Sequence, residues 1–110
     1  MLLLAGAARA ELPVRIEIGE AVFIPQAEVS FRQNLRTMST PPYTLIMRAP
    51  DARAFAAFTA DEVGQIMDVI VCDEVVFSPS LRTLIPNGRV DIHNAPVGGL
   101  LETFIGQGCP

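Results

Sequence analysis

One histidine and two cysteines are the residues of this sequence best suited to nucleophilic chemistry. His93 is the only histidine, and the cysteines are Cys72 and Cys109. A Ser/His/Asp or Cys/His site would need His93 as its base, but no Gly-x-Ser-x-Gly elbow accompanies it. The alternation of the surrounding residues predicts that Asp91 and His93 share an outward strand face, so we interpret His93 as a surface histidine. We expect no catalytic residue and a protein that is not an enzyme.

Metal and cofactor motifs are missing as well. The sequence contains no Cys-x-x-Cys, no His-x-x-x-His and no paired Cys/His cluster. Asp68, Asp73 and Glu74 lie close together but lack the spacing of a calcium loop, and we interpret them as solvated charges of a hairpin. A Gly-x-x-x-x-Gly-Lys phosphate loop is excluded because the chain has no lysine. We therefore expect no metal and no cofactor.

Composition narrows the classes of partner. The 110 residues, half of them hydrophobic, suffice for a single domain with its own core. The formal net charge is −4, and all eight basic residues are arginines scattered along the chain. Nucleic acids and anionic membrane surfaces attract clustered positive charge, so we expect neither as a partner. No apolar run approaches the roughly 20 residues that cross a bilayer, so no integral membrane segment is expected.

The first ten residues resemble the back half of a secretory signal peptide. A short apolar run, 1–7, precedes Ala8-Arg9-Ala10, which has small residues at the positions that a signal peptidase recognises. We expect residues 1–10 to be a signal-peptide remnant cut after Ala10, with 11–110 as a single periplasmic domain. A short N-terminal strand or a frayed end is the alternative.

The two cysteines fit an oxidising compartment. An even number of cysteines there favours a bridge, so a Cys72–Cys109 disulfide is a candidate. Spacing alone does not bring two Cα atoms within reach of each other, and two unpaired thiols remain the alternative.

Hydrophobic periodicity predicts strands, joined in one case by a tight turn. Cys72-Asp73 separates two β-rich runs and is predicted to form a two-residue hairpin turn. In that register Val69 lies opposite Val76, and Ile70 lies opposite Val75. Both faces of this hairpin are largely apolar, so we expect it in the centre of a sheet. The runs that predict strands are 14–18, 27–32, 43–47, 67–71, 74–78 and 89–92.

Helices are predicted after the third and the last strand. Pro50 suits the first turn of a helix, and Thr59-Ala60-Asp61-Glu62 fits a capping box that would start a second short helical turn. Pro96 opens a final helix that Gly106 and Gly108 close, and 34–42 is predicted to be a loop. This order predicts an α+β fold, an antiparallel sheet with two main helices packed on one face.

The aromatic residues are spread through every predicted element, which favours a distributed core. The exception is Phe23 with Ile24, because Pro25 confines this short run to a sheet edge or a turn. We expect these two residues to form an exposed binding surface.

A series of short motifs follows in order within 41–92. They are Phe55-Ala56-Ala57-Phe58-Thr59, Val63-Gly64, the apolar strand 67–71, the strand 75–79, Arg82, Ile85-Pro86-Asn87-Gly88 and Ile92. In these motifs and their order, 41–92 resembles the head subdomain of the first periplasmic domain of the SecD translocation subunit. The closing Gly106-Gln107-Gly108-Cys109-Pro110 is similar to the Gly-x-Leu-Pro that leaves that family's last helix.

The resemblance implies a SecD head-like fold and a passive role in contact with exported or unfolded polypeptide. The family's hairpin turn is usually Asp-Gly, whereas this chain has Cys72-Asp73. No stretch resembles the membrane helices that carry the family's proton-conducting residues, so only the polypeptide-contacting role is expected here. The alternative is an adaptor that docks on one folded envelope partner or on itself.

Overall fold

The computed structural model describes residues 13–33, 43–92 and 100–109. The elements in chain order are β1 (Val14–Ile18), β2 (Ala21–Phe23), β3 (Ser30–Gln33), β4 (Tyr43–Ile46), α1 (Ala49–Ala60), β5 (Met67–Val71), β6 (Glu74–Phe77), β7 (Arg89–Ile92) and α2 (Leu100–Gln107). Antiparallel strands with two helices confirm the α+β class. The strands form two sheets rather than one, with orders β2-β1-β5-β6 and β3-β4-β7.

β1 follows the predicted alternation and lies inside the four-stranded sheet. Val14, Ile16 and Ile18 are buried, whereas Arg15 and Glu17 between them are half-buried. Ile16 pairs with Phe23 on one side and with Val69 on the other. The apolar face of β1 therefore contributes to the core that β5 and α1 complete.

The hairpin of β5 and β6 turns at Cys72-Asp73, with φ of 53° and 66°. Ile70 pairs with Val75 as predicted, but Val69 pairs with Phe77, so the predicted Val69–Val76 pairing is wrong. The register shift makes Val76 the extra residue of a bulge and lets this side chain enter the core, where it is fully buried. β5 is central, whereas β6 is an edge strand, which corrects the prediction of a central hairpin.

α1 begins with Pro50 in its first turn, as predicted, and buries Phe55 against the core. The predicted capping box at Thr59 is wrong. Thr59 belongs to the last turn of α1, where its hydroxyl donates to the carbonyl oxygens of Phe55 and Ala56 at 3.0 and 3.1 Å. Residues 61–64 form turns rather than a new helix.

The three-stranded sheet is centred on β4, whose Tyr43, Thr44 and Leu45 are buried. β3 begins at Ser30, three residues after the predicted start, because the amides of Gln26 and Ala27 bond to a carboxylate instead of a neighbouring strand. α2 ends at Gln107, and Gly108 follows with φ of +83°. The predictions for 1–12, the loop 34–42, His93 and the helix start at Pro96 lie outside the described residues.

Candidate functional site

A groove between the C-terminal half of α2 and the segment 25–31 is the candidate site. Its volume is about 850 Å³, within the usual range of ligand sites. We call it the α2 groove. Its lining consists of Pro13, Val14, all of 25–31, Phe104, Ile105, Gly108 and Cys109.

The first wall is the segment 25–31, which links the edge strands of the two sheets. Its residues alternate between half-buried and exposed, with Val29 and Phe31 packed against the core. Such alternation is typical of extended backbone. The backbone bends at Gln26 and Ala27, and Glu28 and Val29 then lead directly into β3.

A buried carboxylate fixes this wall. Asp51, in the first turn of α1, is 4% exposed. Its two oxygens accept hydrogen bonds from the backbone amides of Gln26 at 3.0 Å and Ala27 at 2.9 Å. Charge-assisted bonds of this kind are stronger than neutral ones, and the N-terminus of a helix favours a negative side chain. Asp51 therefore holds the start of the wall against α1.

Glu28 and Val29 follow the two anchored amides and precede β3. Within 13–33, 43–92 and 100–109, no hydrogen bond to the backbone of either residue is found. β3 itself is an edge strand that pairs only with β4 among the described strands. The middle of the wall thus carries main-chain donors and acceptors that another strand could satisfy.

The second wall is the C-terminal half of α2. Phe104 meets Phe31 of the first wall with ring centroids 5.6 Å apart and an interplanar angle of 88°, an edge-to-face contact. The next residue, Ile105, is 43% exposed. The two walls therefore touch through one aromatic pair and leave an apolar side chain open to the solvent in the groove.

A disulfide joins the second wall to the hairpin turn of β5 and β6. Cys72 and Cys109 are bonded, with their Cα atoms 5.5 Å apart. The amide of Cys72 donates to the carbonyl oxygen of Pro13 at 2.8 Å. Pro13, Cys72 and Cys109 thus form one linked corner of the groove.

The same turn carries an ion-pair network. Arg15 donates to Glu17 at 2.8 Å and to Asp73 at 2.9 Å. The hydrogen bond to Glu17, and next the one to Asp73, raise the pKa of Arg15. Asp68, on β5, accepts a hydrogen bond from Ser78 at 2.6 Å. Arg15, Glu17 and Asp73 therefore form one network, and Asp68 bonds separately to Ser78.

No group of three or more His, Cys, Asp or Glu residues among the described residues could hold a metal ion. No helix in the described ranges is both long and apolar enough to cross a membrane.

Phe23 and Ile24, which we expected to form one exposed surface, lie in different environments in the structure. Ile24 is 41% exposed. Phe23 is half-buried and packs against Phe55 and Phe58, with ring centroids 5.1 and 5.5 Å apart, so it is not part of an exposed surface. The strand alternation of β2 turns Phe23 towards α1, whereas Val22, 49% exposed, faces outward.

Sequence reasoning missed Asp51 and the pairing of Phe31 with Phe104. An acidic residue in a first helical turn signals only a favourable helix terminus. Its bonding partners lie 24 and 25 residues away, and no local pattern indicates them.

Comparisons with protein-family models, curated proteins and solved structures find no match to the chain.

Proposed function

We propose that this protein is a non-enzymatic binding module that holds an extended segment of polypeptide in the α2 groove. The observation that carries the proposal is the wall 25–31, which Asp51 anchors at one end and which continues through Glu28 and Val29 into edge strand β3 at the other. The SecD head-like resemblance of 41–92 supports the same role, that of contact with exported or unfolded polypeptide.

Binding would proceed by strand addition. An extended polypeptide laid along the wall would exchange main-chain hydrogen bonds with Glu28 and Val29, which have none within the described ranges. Each such bond contributes about 0.5–1.5 kcal/mol net. Apolar side chains of the bound segment would then pack on Ile105 and on the Phe31–Phe104 pair. Main-chain recognition suits a partner whose sequence varies.

The charge of the groove limits which polypeptide segments we expect it to bind. Among the described residues that line the groove, Glu28 is the only charged one, and the chain carries a formal net charge of −4. An acidic segment would meet like charge, which disfavours it. Neutral or basic segments with apolar side chains are the expected ligands.

An exported, periplasmic location is part of the proposal. The Cys72–Cys109 disulfide supports it, because structural disulfides persist in oxidising compartments and are rare in reducing ones. The signal-peptide pattern of residues 1–10 supports it independently. The partner would then be a polypeptide in transit or an envelope protein.

The test measures binding of a permanently unfolded, S-carboxymethylated protein that keeps a net positive charge, by fluorescence anisotropy. The same protein in its native disulfide-bonded form is the comparison. The module should bind the unfolded form and not the native one. Ile105→Asp places a carboxylate inside the groove and should weaken binding about tenfold or more, equivalent to about 1.4 kcal/mol.

A matched control separates the groove from β6, an edge strand of the four-stranded sheet. Val75 on edge strand β6 is 42% exposed, close to the 43% of Ile105, but does not line the groove. Val75→Asp should leave the affinity within about twofold, which is below 0.5 kcal/mol. If Val75→Asp abolishes binding while Ile105→Asp does not, β6 is the binding edge and the groove assignment is wrong. Circular dichroism of both variants checks that each remains folded.

An adaptor role is the second candidate, and a different surface favours it. Val63, Ile66 and Leu84 are 47%, 53% and 40% exposed. They flank a short ladder in which Gly64 donates to Leu81 and Leu81 donates to Gln65, both at 2.8 Å. Exposed apolar side chains in one region are typical of protein contacts.

Sedimentation tests the adaptor role on the molecule itself. A self-associating module should sediment as a dimer at micromolar concentration, and Leu84→Asp should return it to the monomer. A monomer at every concentration would contradict self-association. If unfolded protein also binds in the α2 groove, the polypeptide-binding function is supported.

A further inference from the structure

We infer that the Cys72–Cys109 disulfide is a redox-sensitive latch that holds the α2 wall of the groove in place and that a dithiol reductant releases. The release of the wall follows from the packing of α2 alone. Its effect on ligand binding rests on the function proposed above.

The end of α2 has few attachments. From Ile105 to Cys109, no hydrogen bond or ion pair to another element is found among the described residues. Leu101 is fully buried in the core, and Phe104 packs on Phe31. Beyond Phe104, the disulfide is the bond that ties the end of the helix to the rest of the described chain. The latch therefore acts on the part of α2 that lines the groove.

The last turn of α2 has the low stability of a helix end. The helix ends at Gln107, and helix ends fray unless other contacts hold them. The amide of Gly108 donates back to the carbonyl oxygen of Phe104 at 2.8 Å, a bond within the helix end itself. Once the disulfide is broken, the turn after Phe104 should fray while Leu101 keeps the first turn in the core.

The bond is placed where a reductant can reach it. Cys109 is exposed and Cys72 is half-buried. Cys72 also has φ of 53° at a turn position that favours Gly, Asn or Asp. Turn chemistry gives no reason for a cysteine there. Cys72 packs against the core, and its sulfur is bonded to Cys109.

The chemical step is a thiol–disulfide exchange. A thiolate of the dithiol attacks Sγ of Cys109, the Cys72–Cys109 bond breaks, and Cys72 leaves as a thiolate that takes up a proton. The second thiolate of the reagent then attacks the reagent sulfur that is bonded to Cys109 in the mixed disulfide. Cys109 leaves as a thiolate and takes up a proton. The dithiol is oxidised to a disulfide, and both cysteines are reduced to thiols.

Loss of the latch would remove one wall of the groove. Ile105, Gly108 and Cys109 all line it and all follow Phe104. The oxidised protein should therefore hold an extended segment, and the reduced protein should lose that affinity while its two sheets stay folded.

Hydrogen exchange tests the release directly. The full chain is compared before and after treatment with dithiothreitol, alongside the Cys72→Ala/Cys109→Ala double variant. Amide exchange in 104–109 should accelerate about tenfold or more in the reduced protein and in the double variant, with β1 and β5 unchanged. Adding dithiothreitol to the double variant should have no effect.

Two exchange results would overturn the latch. Unchanged exchange in 104–109 after reduction would show that packing alone holds the helix end. Loss of protection throughout β1 and β5 would show that the bond supports the whole fold and not the wall. If the double variant does not fold, the reduced native chain with its thiols blocked by iodoacetamide gives the same comparison.

The affinity for the S-carboxymethylated protein, measured in both redox states, tests the latch and the proposed function separately. Reduction should lower that affinity about tenfold or more. Equal affinity in both redox states would show that the disulfide does not control binding. Local release in 104–109 with no binding in either state would support the latch and overturn the proposed function.

Discussion

Replacement of Thr59 by valine should destabilise the fold through a single lost hydrogen bond. Thr59 is fully buried, and its hydroxyl accepts a bond from the amide of Ile85 at 2.9 Å while donating to carbonyl oxygens of α1. Valine keeps nearly the same shape and removes the hydroxyl. The amide of Ile85, on the loop that follows β6, would then have no partner from α1.

The magnitude follows from which groups are left unsatisfied. The carbonyl oxygen of Phe55 keeps its backbone bond within the helix, so its loss is small. A buried donor without a partner costs about 1–3 kcal/mol, and Ile85 is half-buried, so we expect about 2 kcal/mol. For a domain of this size that corresponds to roughly 8 °C in Tm.

Urea denaturation followed by far-UV circular dichroism measures the change, and the m-value should stay constant. Thr83 is exposed, and Thr83→Val is the matched control, expected within about 0.5 kcal/mol of the native protein. Amide exchange at Ile85 should also accelerate in Thr59→Val. Equal stabilities of Thr59→Val and Thr83→Val would refute the role assigned to the hydroxyl.

Further predictions concern the backbone and the wall of the groove. Gly88→Ala should cost about 2–4 kcal/mol, because Gly88 has φ of +67° and an added Cβ would lie 2.6 Å from Cβ of Ala52. Gly19→Ala, with φ of +60° and only a flexible side-chain oxygen nearby, should cost about 1 kcal/mol, and thermal melts that rank the two variants equally would contradict the steric argument. Asp51→Asn should cost about 1–3 kcal/mol and lower the affinity for unfolded protein, because one of two bonded amides loses its acceptor. Hydrogen exchange unchanged at both Gln26 and Ala27 would show that the carboxylate does not hold the wall.

Local periodicity predicted the elements well where each element buries one face against its neighbours. The alternation of Val14–Ile18 and Pro50 in the first turn of α1 are features of short sequence windows, and both appear in the structure as expected. The hairpin turn at Cys72-Asp73 was predicted from two residues, yet the bulge at Val76 was not. A bulge depends on which side chain the core admits, and that is decided by packing from other elements.

The sequence by itself determined the α+β class, most strand positions and the two cysteines available for a bridge, because hydrophobic spacing and turn residues act over a few positions. Tertiary structure alone decided that the strands divide into two sheets, that Thr59 bonds to Ile85 rather than capping a new helix, and that Asp51 holds the amides of 26–27. Each of these depends on groups more than 20 residues apart in sequence. The α2 groove belongs to the second category, because its walls come from opposite ends of the chain and meet only once the core has formed.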